Sequence, residues 1–249
     1  MIKRIDLAKE AAQIAGGILI KSANPKEGDT KKEGRLNFVT SADLASEKAI
    51  IERIKDDFPN DTILSEETHS ELENPLQVDH LWVIDPIDGT NNFRRQRDYS
   101  GVSIGYVEKG ELVAGVIYNP FRKETFTAEK GKGAYLNGVK INIAQETDIA
   151  NTEIATDSWY ESFGIRQNLE IVLKLKSIPL MFMKGSAVLA LAEVACGRLD
   201  LYFHNFLKPW DNAAGFLIVR EAGGVVKDFN GKDVNFLSPH AVAGNRIVV

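Results

Sequence analysis

One short stretch narrows the fold more than any other: four apolar residues, 81–84, run directly into Asp85 and Pro86. Four consecutive apolar side chains predict a buried strand. Because Pro86 has no N–H to donate to a sheet ladder, we expect the strand to end there, with Asp85 at its carboxyl end. In layered α/β proteins, sites form at the carboxyl ends of strands. The stretch therefore predicts a buried strand that delivers a carboxylate to a sheet edge.

The first half of the chain combines two helices with several strands. Apolar residues at helical spacing predict a helix over about 5–19 and another from Ser41 or Asp43 to Asp57, separated by a polar, exposed and mobile loop over 24–37. Alternation and β-branched residues then predict strands at 62–64, 81–84, 101–107, 112–118 and 124–128, with Asn137 and Gly138 as a hairpin turn. This half is therefore predicted to be β-rich.

The second half changes in texture after Thr147. The pattern predicts a helix at 168–175, a strand at 180–183, a helix at 186–195, a strand at 199–203, a helix at 211–221 and a strand at 225–229. Such alternation favours an α/β layered arrangement. No linker or repeat separates the halves, and 249 residues suit one domain. We expect a single unit, 1–249, with lobes of about 1–145 and 146–249 that share one core.

Composition limits the classes of partner. Thirty basic and 35 acidic residues give a net charge of −5, which disfavours a nucleic-acid or membrane surface and favours small-molecule partners. The single cysteine, Cys196, lies in an apolar run and cannot form an intramolecular disulfide, which suits a reducing compartment. The first residues resemble neither a secretory signal nor a membrane span, so we expect a cytoplasmic protein.

Acidic residues follow several predicted elements. Asp88, Gly89 and Thr90 are typical of a tight turn into a helix, with the amides of Gly89 and Thr90 facing an anion. Glu66 follows the strand at 62–64, and Asp211 begins the helix at 211–221. Each has an ordinary structural explanation: Asp88 forms a turn, Asp85 ends a strand, Gly89 accommodates the backbone, Asp211 caps a helix, and Glu66 is solvated.

Convergence of these acids would change that interpretation. Clustered carboxylates raise one another's pKa and oppose folding unless a cation compensates. An all-oxygen set favours Mg²⁺ or Mn²⁺ over Zn²⁺, and the four histidines, 69, 80, 204 and 240, show no ligand spacing. Four carboxylates, Glu66, Asp85, Asp88 and Asp211, balance two divalent ions and leave the site open to a phosphate monoester. The pattern therefore points to phosphoryl transfer to water.

The motifs together resemble a known family. They are 39–43 (VTSAD), 65–67 (SEE), 85–93 (DPIDGTNNF), 185–187 (GSA) and 210–215 (WDNAAG). In order and spacing they resemble the inositol monophosphatase family, within the lithium-sensitive, magnesium-dependent phosphatases. The resemblance covers essentially the whole chain. It implies an α/β fold, an αβαβα layered sandwich of the inositol monophosphatase and fructose-1,6-bisphosphatase type, with two or three Mg²⁺ ions (Mn²⁺ as a substitute), lithium sensitivity and a homodimer.

The resemblance also implies roles for individual residues. Glu66, Asp85 and the carbonyl of Ile87 would bind one ion, and Asp85, Asp88 and Asp211 a second. Thr90, hydrogen-bonded to Asp43, would orient and help deprotonate a water molecule. Lys32 would lie near a weaker third ion. On the substrate side the implied residues are Asp88, Gly89, Thr90, Gly185, Ser186, Ala187, His204 and Asp211, with the amides of Gly89 and Thr90 holding the phosphate.

Two of these roles have structural competitors, and two positions depart from the family. Asp43 could simply complete a capping box with Thr40, and Gly185 alone is typical of a strand-to-helix turn. His204 replaces an acid that contacts ring hydroxyls in inositol-specific members, which puts inositol preference in doubt. The basic run at 94–97 is either a solvated helix face, which we favour slightly, or a site for a second anionic group.

The predicted function is Mg²⁺-dependent hydrolysis of small phosphate monoesters resembling inositol 1-phosphate. Alternative substrates are fructose 1,6-bisphosphate, 3'-phosphoadenosine 5'-phosphate, histidinol phosphate and NADP. An alternative of another class is a non-catalytic module that binds metals or phosphometabolites, or an interaction protein that retains the fold. We predict that turnover on several monoesters, with and without Mg²⁺, separates these classes.

Overall fold

A computed structural model describes residues 2–22, 30–31, 38–157, 162–174, 180–246 and 249. The chain begins with α1 (Arg4–Lys21), β1 (Thr30–Lys31), β2 (Phe38–Val39) and α2 (Ser41–Asp57). The two predicted helices are confirmed. Strand β1 lies within the predicted loop at 24–37 and pairs antiparallel with β2, so the loop prediction was wrong at these two residues. The rest of that loop, with Lys32, lies outside the described residues.

A seven-stranded sheet follows in sequence order. Its strands are β3 (Thr62–Ser65), β4 (His80–Asp88), β5 (Gly101–Glu108), β6 (Glu111–Asn119), β7 (Glu124–Glu129), β8 (Gly133–Leu136) and β9 (Val139–Ile141). β3 runs parallel to β4, and every later pair is antiparallel. Asn137 and Gly138 both have positive φ between β8 and β9, which confirms the predicted hairpin turn.

Strand β4 corrects the prediction that Pro86 ends the strand. β4 continues to Asp88, and its register with β5 shifts, because Asp85 pairs with Ser103 and Asp88 with Gly101. From Asp85 to Asp88 the chain advances by three residues on β4, whereas β5 advances by two between their partners. The extra residue on β4 forms a bulge. A proline is tolerated there because a residue in a bulge need not donate to the ladder. The bulge places Asp85 and Asp88 on the same short bend.

The second sheet has five strands in the order β11-β10-β12-β14-β13. They are β10 (Glu153–Thr156), β11 (Leu180–Phe182), β12 (Leu201–His204), β13 (Val225–Lys227) and β14 (Ala241–Gly244). β10 is parallel to β11 and β12, whereas β14 is antiparallel to β12 and β13. β11, β12 and β13 confirm predicted strands, although β12 starts at Leu201 rather than 199 and β13 ends at Lys227 rather than 229. β10 and β14 were not predicted.

Four further helices are α3 (Thr90–Arg94), α4 (Ser162–Leu173), α5 (Ala187–Ala195) and α6 (Pro209–Glu221). α4 begins six residues before the predicted start and ends at Leu173. The other predicted helix boundaries differ by two residues or fewer. No helix in the described part of the chain has the length and apolar character needed to cross a bilayer.

The helices and sheets stack as alternating layers. α1 and α2 cover one face of the first sheet, where Leu19 and Ile50 share a core with Trp82 and Ile104. α5 and α6 fill the space between the sheets in a second core. On the outer face of the second sheet, Val172 of α4 packs with Ile154, Leu201 and Phe203. The αβαβα layered sandwich is therefore confirmed.

Two glycines let α6 lie almost directly on the first sheet. A Cβ atom added to Gly105 would lie 2.6 Å from the Cβ of Ala213, and one added to Gly115 would lie 3.0 Å from the Cα of Ala214. Gly105 and Gly115 are cross-strand partners on β5 and β6. The hydroxyl of Ser103 also donates to the carbonyl of Trp210, at 3.2 Å. These contacts fix the start of α6, and therefore Asp211, above β5.

Candidate metal centre and active site

Three carboxylates from two separate parts of the chain converge at the bulge. Each of Asp85, Asp88 and Asp211 offers one carboxylate oxygen, and these oxygens lie within 4.8 Å of one another. Strand β4 supplies the first two, and the first turn of α6 supplies the third. A backbone amide already orients two of them: Asp85 accepts from Ile87 N at 3.0 Å, and Asp211 accepts from Lys208 N at 2.6 Å. The structure thus brings together three of the four carboxylates that the sequence analysis named.

Glu66 lies beside this group. Its amide donates to the carbonyl of Ile84 at 3.2 Å, which places Glu66 across from the residue that precedes Asp85. Among the neighbouring charged groups, Glu66 raises the pKa of Asp85 the most. The turn that carries Glu66 is held by the buried carboxylate of Glu47 on α2, which accepts from Glu67 N at 2.9 Å and from the hydroxyls of Ser65 and Thr68.

Burial and mutual repulsion shift the pKa values of the three acids upward. Burial is the largest cause at each: it raises the pKa of Asp85 and Asp211 well above the usual value and that of Asp88 to about 7. Hydrogen bonds from Ser186 and Val188 hold the pKa of Asp88 down, and the Lys208 amide does the same at Asp211. A cation would remove this penalty. The donor set, all oxygen and with no cysteine or histidine, suits a hard divalent ion such as Mg²⁺ or Mn²⁺.

Asp43 makes both of the contacts that the sequence left open, one with Thr40 and one with Thr90. One carboxylate oxygen, Oδ2, accepts from the backbone N–H of Thr40 at 2.7 Å and from its hydroxyl at 2.5 Å, which completes a capping box at the start of α2. The other oxygen, Oδ1, lies 3.3 Å from the hydroxyl of Thr90. That hydroxyl also lies 3.1 Å from the carbonyl of Ile87, so its one proton has two acceptors. Asp43 is fully buried.

Position 89 requires glycine for two reasons. Its φ is 84°, in the left-handed region that favours glycine. A Cβ atom there would also lie 2.9 Å from the carbonyl oxygen of Tyr99 and 3.1 Å from that of Gly185. Gly89 precedes α3, so its amide and that of Thr90 stand at the helix N-terminus, next to the acidic group.

Turn 184–186, the three residues before α5, lies against Asp88. The hydroxyl of Ser186 donates to Asp88 Oδ2, and the amide of Val188 donates to the same oxygen at 2.9 Å. Gly185 has a φ of 75° and lies beside Asn92, whose side chain donates to the Lys184 carbonyl at 2.7 Å. The structure thus brings Gly185 and Ser186 to the acids, while Ala187 follows as the first residue of α5.

His204 lies at the carboxyl end of β12. Only 5% of its surface is exposed, and burial lowers its pKa to about 4. Its Nδ1 accepts from Phe206 N at 2.9 Å, so the neutral ring carries its proton on Nε2. His204 shares a face of β12 with Tyr202, toward α5 and α6. Its ring therefore offers a hydrogen-bond donor, not the negative acceptor of inositol-specific relatives.

The basic run at 94–97 divides between a packed and a solvated part. The guanidinium of Arg94 lies over the ring of Phe38, 3.5 Å from its centroid. Arg97 donates to the side-chain oxygen of Asn92 at 3.2 Å, and Arg95 is exposed. Arg94 therefore contributes to packing against β2, which the interpretation as a wholly solvated face did not include.

Three buried acids near the site were not predicted: Glu47, Asp157 and Glu193. Glu47 had a detectable signal, since 43, 47, 50 and 54 form one helical face with apolar Ile50 and Ile54. Glu193 interrupts the apolar run at 187–195, where it accepts from Tyr99 and Lys184. Asp157 had no local signal because its partners come from turn 184–186 and β12.

Comparison with known proteins gives one consistent family. A family model described as the inositol monophosphatase family matches residues 2–248. The Nus factor SuhB of Escherichia coli is 41% identical over 248 residues, covering 98% of this chain and 92% of that protein. A fructose-1,6-bisphosphatase/inositol-1-monophosphatase of Thermotoga maritima is 34% identical, covering 98% and 92%. A solved IMPase structure from the same organism has a TM-score of 0.89 at 33% identity, covering 99% of this chain and 94% of its own.

Proposed function

Because the chain belongs to the inositol monophosphatase family, we propose that it is a divalent-metal-dependent phosphatase that hydrolyses small phosphate monoesters by attack of water. Membership supports a phosphatase of this superfamily. One observation supports the proposed chemistry in this chain: Asp85, Asp88 and Asp211 converge within 4.8 Å beside a Thr90 hydroxyl that contacts a buried carboxylate.

The acids would hold the ions in two overlapping sets. Glu66, Asp85 and the carbonyl of Ile87 form the first set, and Asp85, Asp88 and Asp211 form the second, so Asp85 is shared. When bound, divalent ions at such a site lower the pKa of water and neutralise charge on a phosphoryl group. The carboxylates contribute by being held in place: amides orient Asp85 and Asp211, and Ser186 and Val188 orient Asp88.

Thr90 and Asp43 would orient the attacking water and accept its proton. The Thr90 hydroxyl can accept a hydrogen bond from water while it donates its own proton to Asp43 Oδ1. The Asp43 side chain is held in this orientation because its other oxygen accepts two hydrogen bonds from Thr40. The pair therefore offers a fixed path for one proton, from water through Thr90 to the buried carboxylate.

The amides of Gly89 and Thr90 would bind the phosphate. They stand where the chain turns into α3, and only glycine fits at the first of the two positions. The adjacent turn, with Gly185 and Ser186, lies on the side from which the organic part of a substrate would approach. We assign Ala187, His204 and the same turn to this side of the pocket.

The proposed substrate class is small phosphate monoesters resembling inositol 1-phosphate. His204 weakens the preference for inositol itself, since its neutral ring donates through Nε2. Monoesters that present a hydrogen-bond acceptor at this position, such as the nucleotide and sugar phosphates named above, remain alternatives within the same chemistry.

The proposal includes properties beyond the reaction. We propose two or three Mg²⁺ ions with Mn²⁺ as a substitute, inhibition by lithium, a homodimer, and a cytoplasmic location, with no nucleic-acid or membrane partner. Lithium inhibition of phosphate release and sedimentation equilibrium test the second and third of these directly.

A second candidate function follows from the relatives named Nus factor SuhB, at 41% identity. That name favours a role as an interaction protein that retains the fold. The phosphatase proposal has the stronger support, because the required residue types are present at every candidate ligand position and at Thr90 and Asp43. The two functions predict different results in one assay.

The assay measures phosphate release from a panel of monoesters with Mg²⁺ and with EDTA. We expect metal-dependent turnover of at least one monoester, and absence of turnover on all of them would favour the interaction protein. Asp85→Asn removes the shared ligand, so we expect kcat to fall by more than about 100-fold, beyond the usual effect of a residue that only supports a ligand. Asp200→Asn, which changes a carboxylate that contacts the first residue of β10, is the control. Near-normal turnover of the Asp85 variant would refute the shared-ligand assignment.

A further inference from the structure

Asp157 is a buried acid beside the candidate site that is not in the ligand set. It follows β10 directly and is 7% exposed. Among the neighbouring charged groups, Asp157 raises the pKa of Asp88 the most. A further carboxylate near three others is unfavourable by itself, so its burial there requires compensating contacts.

Its hydrogen bonds supply those contacts. One oxygen, Oδ1, accepts from the backbone amides of Lys184, at 3.0 Å, and Gly185, at 2.5 Å. The other, Oδ2, accepts from the hydroxyl of Tyr202 at 3.3 Å. Both oxygens therefore serve protein donors. Asp157 is engaged with the backbone of turn 184–186 rather than directed at the acidic group.

The turn is held from both sides. Asp157 binds its N–H groups, while the side chain of Asn92 donates to its carbonyl groups, at 2.7 Å for Lys184 and 3.2 Å for Gly185. Gly185 has a positive φ, a conformation that glycine adopts readily, and these hydrogen bonds set the position of the turn.

Turn 184–186 connects Asp157 to the proposed site through its contacts with Gly89 and Asp88. The Gly185 carbonyl lies 3.1 Å from the place where a Cβ atom of Gly89 would stand, and the Ser186 hydroxyl binds Asp88. A shift of the turn would therefore move the wall beside the two amides proposed to bind phosphate.

We propose that Asp157 is a positioning residue of the substrate pocket: its acceptor oxygens hold turn 184–186 against Gly89 and Asp88, and so set the fit of the organic part of the substrate. This inference rests on the proposed function. It also specifies that the acceptor oxygens matter and the negative charge does not.

Two substitutions separate acceptor from charge. Asp157→Ala removes both oxygens, and we expect the KM for the best monoester of the panel to rise about 10- to 100-fold, as for loss of other supporting hydrogen bonds. Asp157→Asn keeps one oxygen for the two amides and can donate to the Tyr202 oxygen, so we expect KM within about threefold of the parent protein. Both variants remove the same negative charge beside Asp88, so Mn²⁺ affinity, measured by calorimetry, should be equal in the two.

Asp200→Ala is a matched control at the opposite end of β10 from Asp157. The Asp200 carboxylate, just before β12, accepts from the amide of Glu153, the first residue of β10, at 2.7 Å. Its loss removes a comparable bond and should leave KM unchanged.

Hydrogen exchange of the peptide covering 184–190 provides a readout that does not depend on turnover. We expect faster exchange in Asp157→Ala than in Asp157→Asn and Asp200→Ala. Equal KM losses in the Ala and Asn variants would overturn the inference in favour of a role for the charge. A lower Mn²⁺ affinity in Asp157→Ala than in Asp157→Asn would overturn it in favour of a metal ligand. Unchanged KM and exchange in the Ala variant would also overturn it. If the parent protein releases no phosphate, the proposed function fails, and exchange alone then decides whether Asp157 holds the turn.

Discussion

At the scale of single residues, the site reuses groups that also build the fold. Asp43 completes the capping box of α2 with one oxygen and contacts Thr90 with the other. Asp211 likewise accepts from the amide that precedes α6. A carboxylate held by a helix terminus loses little additional conformational freedom when it also serves a ligand. The structural and the functional interpretation of such residues are therefore compatible.

Thr90 offers a direct test of the proton path. We expect Thr90→Ala to lower kcat by about 10²- to 10⁴-fold, the range for loss of a general acid–base group, with little change in Mn²⁺ affinity. Thr90→Ser keeps the hydroxyl and should retain most of kcat. Steady-state kinetics and calorimetry measure the two quantities. Parallel loss of kcat and metal affinity would indicate that Thr90 is structural.

His204 offers a test of substrate preference. His204→Glu introduces the negative acceptor of inositol-specific relatives, and we expect it to raise kcat/KM for inositol 1-phosphate over p-nitrophenyl phosphate by about tenfold, since a hydrogen bond to a charged group contributes about that much. His240→Glu is the control. A ratio that stays constant would show that position 204 does not contact the substrate. We expect the buried carboxylate to lower the melting temperature as well.

At the scale of elements, sequence reasoning succeeded where signals were local. The run before Asp85, the helical faces of α1 and α2 and the Asn137–Gly138 turn depend on neighbouring residues, and all were predicted. Pro86 was misread because a bulge depends on how β4 pairs with β5. β10 and β14 were missed because neither shows a clear alternation of apolar and polar residues.

The same distinction explains the candidate site. The acids could be found because each follows or begins a recognisable element. Asp157 could not be found, because its partners are brought to it by the turn at 184–186 and by Tyr202, which are distant in sequence. Glu47 lies between these limits: the apolar face of α2 pointed to a buried position, but its partners at 65–68 depend on tertiary packing.

Glu47 leads to a prediction about how α2 supports Glu66. Glu47→Ala removes the acceptor for Ser65, Glu67 and Thr68, so the turn that carries Glu66 loses its anchor. We expect Mn²⁺ affinity to fall about 10- to 100-fold, as for other residues that orient a ligand. Glu52→Ala removes an exposed acid of the same helix and should leave affinity unchanged. If calorimetry gives equal Mn²⁺ affinities for the two variants, Glu47 does not support metal binding through Glu66.

At the scale of the whole molecule, the acidic centre affects stability. Folding raises the pKa of Asp88 to about 7 and that of Asp157 to about 6, both mainly through burial, and it raises the pKa of Asp85 and Asp211 as well. Between about pH 4 and 7 the folded state therefore binds more protons than the unfolded state. The free energy of unfolding must then fall as pH rises through this window. His204, with its pKa lowered to about 4, acts in the opposite direction up to about pH 6.5, but it is one group against four.

We therefore expect the EDTA-treated protein to melt at a lower temperature at pH 7.5 than at pH 5.5. Mg²⁺ should raise the melting temperature more at pH 7.5, because the carboxylates must be ionised to bind it. Differential scanning calorimetry at both pH values, with and without the ion, measures this difference. An increase of equal size at both pH values would contradict it.

The close packing of α6 on Gly105 and Gly115 has a consequence for how the protein is synthesised. The last acid of the centre, Asp211, reaches its place only after α6 has left the ribosome and settled on a sheet made from residues translated much earlier. A nascent or prematurely terminated polypeptide thus carries two lone aspartates where the finished protein carries a trio. The acidic group is therefore completed only after α6 has been made.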